Sequence, residues 1–370
     1  MKFVDLEAQQ RRIEGKIRGA IDRVLAHGEY IQGPEVFLFE QRLAEYTGAK
    51  YCISCGNGTD ALQIALMALE IGVGDEVITP AFNYIAAAEA IKLLGATPVY
   101  ADIDPVTYNI SPAAIESLIT ERTKAIVPTS MFGQAANFSA INEIADSHGL
   151  SVIEDAAQSM GATYFGRKSG ALSKIATTSF FPSKPLGGYG DGGAILTSDD
   201  TIAEVCRQIA RHGQNGRYNH VRLGVNSRLD TIQAAILLEK LEILEDEKQR
   251  RARVADYYAA RFGEIKKNTA IEIGLPTLAD SCTSAFAQYA VTIFERERVL
   301  ERINGRIPTA IHYPKPVFRQ AAMFQAEIEA PFASQLAEQV LCLPMHPYLT
   351  SAEQDDVVAS LVAALAPRPL

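Results

Sequence analysis

The sequence predicts an α/β fold, with a mostly parallel sheet in a large domain and a smaller α+β domain at the C-terminal end. Three observations predict it. Between about residues 50 and 200, short β-rich runs alternate with helical patterns. From about residue 265 the character changes, and Pro276, Pro308, Pro314, Pro316, Pro331, Pro344 and Pro347 punctuate shorter elements. A chain of 370 residues that is 48% hydrophobic has the material for a large core.

Taken in order, residues 51–54 read as a strand and 58–71 as the helix after it. Residues 76–79 read as a strand, 84–94 as a helix and 98–101 as a strand. Ser111 caps a helix that has Pro112 in its first turn. A strand at 125–128, a helix at 139–148 and strands at 151–154, 176–178 and 194–197 complete the alternation. The segment 229–261, rich in Ala, Leu, Glu and Lys, reads as one long helix with room for a kink. This divides the chain into a large domain over 12–240 and a small one over 241–370, with residues 1–11 packing on the latter.

In sheets of this kind, ligands bind off the carboxyl ends of the strands. Asn57-Gly58-Thr59, the segment 80–84, Asp155 and the segment 179–184 all fall at such ends. An acid leaving a strand, followed by Lys184 in a Ser/Pro/Gly-rich loop, is what a pyridoxal 5'-phosphate (PLP) enzyme needs. The cofactor's aldehyde condenses with a lysine amine, and a carboxylate keeps its ring nitrogen protonated so that the ring accepts electrons. Lys184 and Asp155 suit those two roles. Phe180, Phe181, two prolines and a glycine cluster are poor company for a solvated amine. Gly58-Thr59 at a helix start and the Ser179 hydroxyl are groups that hold a phosphate.

Other readings fare worse. The glycines at 187–193 lack G-x-G-x-x-G spacing and lead into a strand, so a dinucleotide fingerprint is weak. The residue three before Lys184 is Phe181, which removes a Ser-x-x-Lys nucleophile. Cys52-Ile53-Ser54-Cys55 has redox spacing but lies inside a strand pattern, where buried small residues are expected. Five cysteines suit reduced thiols better than a disulfide framework. No metal is assigned. A formal charge of -9 argues against nucleic acid or an anionic membrane as partner. No apolar run is long enough for a membrane span, and the start has no signal-peptide core, so the cytoplasm is expected.

The chain resembles the DegT/DnrJ family of PLP-dependent nucleotide-sugar aminotransferases. The resemblance runs from residues 3–6 through 56–62 and 154–158 to His312-Tyr313-Pro314 and His346-Pro347-Tyr348. It implies an aspartate-aminotransferase-like fold (PLP fold type I) and a homodimer with sites shared between subunits. It implies, too, that Lys184 bonds the cofactor, Asp155 pairs with its ring nitrogen and Gln158 lies near its ring hydroxyl. Gly58, Thr59 and Ser179 are then the phosphate ligands and Tyr84 the ring-stacking aromatic. Asn226 matches a residue that reaches the other subunit's cofactor phosphate. Arg228 offers a fork for a carboxylate, of a glutamate donor, of a uronic acid, or of each in turn. His312 and Tyr313 match a segment beside the sugar, and the basic loop 211–220 is a candidate for a diphosphate. L-glutamate and a UDP-linked 3-keto sugar are the substrates the resemblance implies. Lys184 counts against a related dehydratase, in which histidine takes that place. The full set of lysine, acid and phosphate ligands counts against a non-catalytic PLP-binding regulator.

Overall fold

Seven strands form the central sheet of a computed structural model that describes residues 1–366. They are β1 (Tyr51–Cys55), β2 (Glu76–Pro80), β3 (Thr97–Ala101), β4 (Thr123–Ile126), β5 (Ser151–Asp155), β6 (Ile175–Ser179) and β7 (Gly193–Thr197). Their order in space is β1-β7-β6-β5-β4-β2-β3. β2 is parallel to β3 and β4, β4 to β5, and β5 to β6. β7 runs antiparallel between β6 and β1. The carboxyl ends of β1, β2, β4, β5 and β6 therefore share one edge of the sheet, and β7 starts there.

The strands are apolar because helices cover both faces. On one face the helices Gly58–Ala68, Ala86–Leu93 and Asp200–Ile209 bury Leu62, Leu66, Ile91 and Ile209 against Ile53, Val77, Ile153 and Ile195. On the other, Pro34–Thr47 and Thr231–Leu241 bring Phe39, Leu43 and Leu237 onto Phe180 and Leu196. Helix starts follow side-chain caps: Asn57 accepts from the Asp60 amide at 2.8 Å and Ser111 from the Ala114 amide at 3.4 Å.

Several boundaries differ from the sequence reading, among them the end of the helix read over 58–71, which stops at Ala68. β4 lies two residues earlier, because Pro128 has no N–H for the ladder; its carbonyl instead accepts the Asp155 amide at 2.9 Å. The helix read as starting at Tyr84 starts at Ala86. The single helix read over 229–261 is two, Thr231–Leu241 and Leu244–Asn268, because its halves serve different cores. Leu237 packs beneath the large sheet, whereas Val254, Tyr258 and Phe262 pack on Tyr289, Val291, Leu341 and Leu361.

That second core contains the antiparallel strands Tyr289–Thr292 and Val340–Leu343 and the helix Ser351–Leu365, which Thr350 and Glu353 start with a reciprocal capping box. A further cluster, including Phe82, Tyr100, Phe132, Phe318 and Cys342, welds it to the sheet edge. Residues near the amino end lie along the C-terminal core: the Phe3 carbonyl accepts the Met345 amide, and Gln9 Nε2 donates to Glu247 Oε2 at 2.7 Å. Among the described residues no helix is long and apolar enough to cross a membrane.

Candidate active site

At the carboxyl edge of the sheet a cavity of about 550 Å³ opens. Nine of the residues singled out from the sequence line it. Gly58 and Thr59 begin the helix after β1, where the first amides have no intrahelical partner and point their N–H groups outward. Ser179, at the end of β6, faces them; a Cβ on Gly58 would lie 2.6 Å from that of Ser179. Ser227, which carried no motif, pins this turn: it accepts from the Gly56 amide at 2.8 Å and donates to Asp60 Oδ2 at 2.6 Å.

Tyr84 follows β2 and Asp155 ends β5. The Gln158 side chain is fixed at both ends, accepting from the Phe132 amide at 2.9 Å and donating to the Tyr313 hydroxyl at 3.3 Å. His312 and Tyr313 come from the C-terminal part of the chain, held by backbone bonds from Ala310 to Cys342 and from Val317 to Ala81. The Tyr313 ring stands 5.9 Å from that of Tyr84 and 5.6 Å from that of His312. Lys184 lies in the turn after β6, its amide donating to the Phe181 carbonyl.

Asn226 and Arg228 are exposed and do not line the cavity of their own chain, nor does the loop 211–220. Sequence reasoning missed Thr129 and Gln288 in the lining. Thr129 lies three residues past β4, and only the fold brings its lone hydroxyl to Asp155.

Burial pushes the Lys184 amine below its ordinary value of 10.5, and the nearby Asp155 carboxylate opposes that shift. Burial also pushes the Asp155 carboxyl up, against the Ala157 amide, the Lys184 charge and the Thr129 hydroxyl, which favour the anion. His312 is held below 6.5 by burial and then by Lys184, so it is neutral at pH 7. Cys52 and Cys55 are buried in β1, and burial pushes both thiols far up, which makes them inert packing.

These groups fit PLP. Free helix-start amides and a serine hydroxyl match its phosphate, a carboxylate held from two sides matches its ring nitrogen, and a shielded amine of lowered basicity matches its aldehyde. The model of the DegT/DnrJ/EryC1/StrS aminotransferase family matches residues 11–362. The chain belongs to that family. Members of the DegT/DnrJ/EryC1/StrS family are PLP-dependent, and so is this enzyme. It is 55% identical, over 98% of its length and 99% of the relative's, to the UDP-2-acetamido-2-deoxy-3-oxo-D-glucuronate aminotransferase of Pseudomonas aeruginosa. Its fold matches a DegT/DnrJ/EryC1/StrS aminotransferase from Brucella abortus with a TM-score of 0.94, at 42% identity over 99% of this chain and 100% of that one. It also matches NtdA from Bacillus subtilis with bound pyridoxamine phosphate, with a TM-score of 0.92, at 32% identity over 99% of this chain and 85% of that one. The fold is PLP fold type I.

Proposed function

We propose that this DegT/DnrJ/EryC1/StrS aminotransferase moves the amino group of L-glutamate to UDP-2-acetamido-2-deoxy-3-oxo-D-glucuronate. The products are 2-oxoglutarate and the 3-amino sugar nucleotide, destined for a bacterial surface polysaccharide such as an O-antigen. The observation that carries this substrate is the near full-length 55% identity to the Pseudomonas enzyme.

Bound PLP supplies an electron sink for the carbanion left when a proton departs the donor's Cα. Lys184 Nζ is the base that takes that proton and returns it, and its lowered basicity leaves a larger neutral fraction at pH 7 than a solvated lysine has. Asp155 would pair with the ring nitrogen and keep it protonated; Gly58, Thr59 and Ser179 would anchor the phosphate, Tyr84 would offer its face to the ring, and Gln158 would serve the ring hydroxyl. His312, neutral, and Tyr313 border the sugar.

The active form in this reading is a homodimer with shared sites. It is supported by Asn226 and Arg228 standing exposed outside their own cavity, and by Tyr84 and Phe181, 58% and 52% exposed at its mouth. Arg228 then grips a carboxylate in the partner's site. Two domains, 12–240 carrying the cofactor and 241–370 closing over the sugar, complete the picture. A cytoplasmic location is supported by five free cysteines.

The test runs the sugar half-reaction backwards. PLP-loaded enzyme is mixed with UDP-2-acetamido-3-amino-2,3-dideoxy-glucuronate and its visible cofactor absorbance followed, with L-glutamate as control. Loss of the band with both supports the 3-keto uronate; loss with glutamate alone assigns the enzyme to another keto-sugar nucleotide. Loss with neither returns the chain to a non-catalytic PLP binder.

A further inference from the structure

Resting on the PLP reading, we infer that Asn83 and Thr129 are positioning residues that hold Asp155 as an anion through a one-way chain of hydrogen bonds. The direction of each bond follows from what its atoms can do. The Tyr84 amide can only donate, and it meets Asn83 Oδ1 at 2.8 Å. That fixes the Asn83 amide, so its other end is Nδ2, which also only donates. Nδ2 meets Thr129 Oγ1 at 2.7 Å. With that oxygen accepting, the Thr129 hydroxyl hydrogen is free for its second contact, Asp155 Oδ2 at 3.1 Å. Ionised Asp155 can only accept, so Thr129 donates to Oδ2, a bond that a proton on that oxygen would oppose. The Ala157 amide donates to Oδ1 at 3.1 Å, so both carboxylate oxygens hold a donor from the protein.

The backbone presents Thr129 rather than leaving it to chance. The Asp155 amide donates to the Pro128 carbonyl at 2.9 Å and the Ser130 amide to the Asp155 carbonyl at 3.1 Å, which clamps Thr129 alongside. Thr129 is 2% exposed and Asn83 5%, so these bonds are largely shielded from solvent. Burial pushes the carboxyl's pKa up; the relay opposes that, and a protonated Asp155 cannot hold the cofactor's ring nitrogen charged. The relay also begins at the backbone of Tyr84, so the residue that covers the ring and the residue beneath its nitrogen are set by one network.

The test measures cofactor retention, not turnover. PLP dissociation constants are determined from pH 5 to 9 for wild type, Thr129→Val, Thr129→Ser and Asn83→Asp, with apo-protein melting as a folding control. Thr129→Val keeps the shape and loses the donor. We expect roughly tenfold weaker PLP binding at pH 7 and an acid limb of binding moved up by about one pH unit. Thr129→Ser restores the donor and stays within about twofold of wild type. Asn83→Asp presents an acceptor to Thr129, turns its hydroxyl away from Asp155 and reproduces the valine result; it also decides the matter if Thr129→Val does not fold. Wild-type affinity and acid limb in both Thr129→Val and Asn83→Asp, or equal losses in Thr129→Ser and Thr129→Val, would overturn the inference. Bleaching of the wild-type band by L-glutamate, run alongside, reports on the aminotransferase reading separately.

Discussion

Gly58 and Ser179 stand nearer across one end of the cavity than a side chain at position 58 would permit: a Cβ on Gly58 would lie 2.6 Å from Ser179 Cβ and 3.2 Å from Ser179 Oγ. The helix after β1 and the end of β6 thus meet backbone to side chain.

Gly58→Ala should therefore push Ser179 and the helix start apart. Overpacking of this kind costs typically 1–3 kcal/mol. The expected outcome is PLP affinity reduced by at least roughly tenfold with the apo fold retained, read by equilibrium dialysis beside circular dichroism. Unchanged affinity would place the phosphate elsewhere.

Lys184→Ala removes the amine to which the proposed mechanism assigns the proton transfer. Transamination should fall by more than roughly 10²-fold, while PLP still binds through its phosphate and ring contacts. Turnover at the wild-type rate in a glutamate-dependent assay would remove Lys184 from its role.

Asn226 is exposed in its own chain. If it serves the partner's phosphate, mixing Lys184→Ala chains with Asn226→Ala chains creates hybrid dimers in which one of the two sites has both residues intact. Activity of the mixture should exceed that of either parent. Absence of any recovery under conditions where chains exchange would confine Asn226 to its own subunit.

Lys240 gives a pH prediction outside the site. It is 2% exposed, its Nζ lies 4.3 Å from the Tyr189 ring centre, and burial pushes its amine down to about 8. Below about 8 the folded and unfolded amines are both charged, so the burial penalty is fully present. It fades as pH rises from there towards the ordinary 10.5, because the unfolded chain then binds more protons than the folded one. Lys240→Met should stabilise the protein at pH 7 by the order of 2 kcal/mol, and lose that advantage near pH 10. Urea unfolding at both pH values checks it.

The sheet was legible because buried parallel strands read as short apolar runs, and helix starts such as Asn57 and Ser111 carry their caps in the sequence. The central pair was legible as chemistry: Lys184 beside Phe180 and the glycines, and Asp155 at a strand end. Thr129 and Ser227 were not, since a lone hydroxyl has no pattern until the fold brings it to Asp155 or Asp60. The break between Leu241 and Leu244 escaped because each half keeps good helix formers. What divides them is the core each half meets, a long-range fact. Asn226 and Arg228 were legible by resemblance alone; nothing in their local sequence says that they lie outside the cavity of their own chain.

The two-core arrangement has an evolutionary reading. Lys184, Asp155 and Ser179 are anchored to the central sheet, whereas His312 and Tyr313 hang from a segment tied to the strand of Cys342. If His312 and Tyr313 border the sugar, changes there can shift substrate preference while Lys184, Asp155 and Ser179 keep their places on the central sheet.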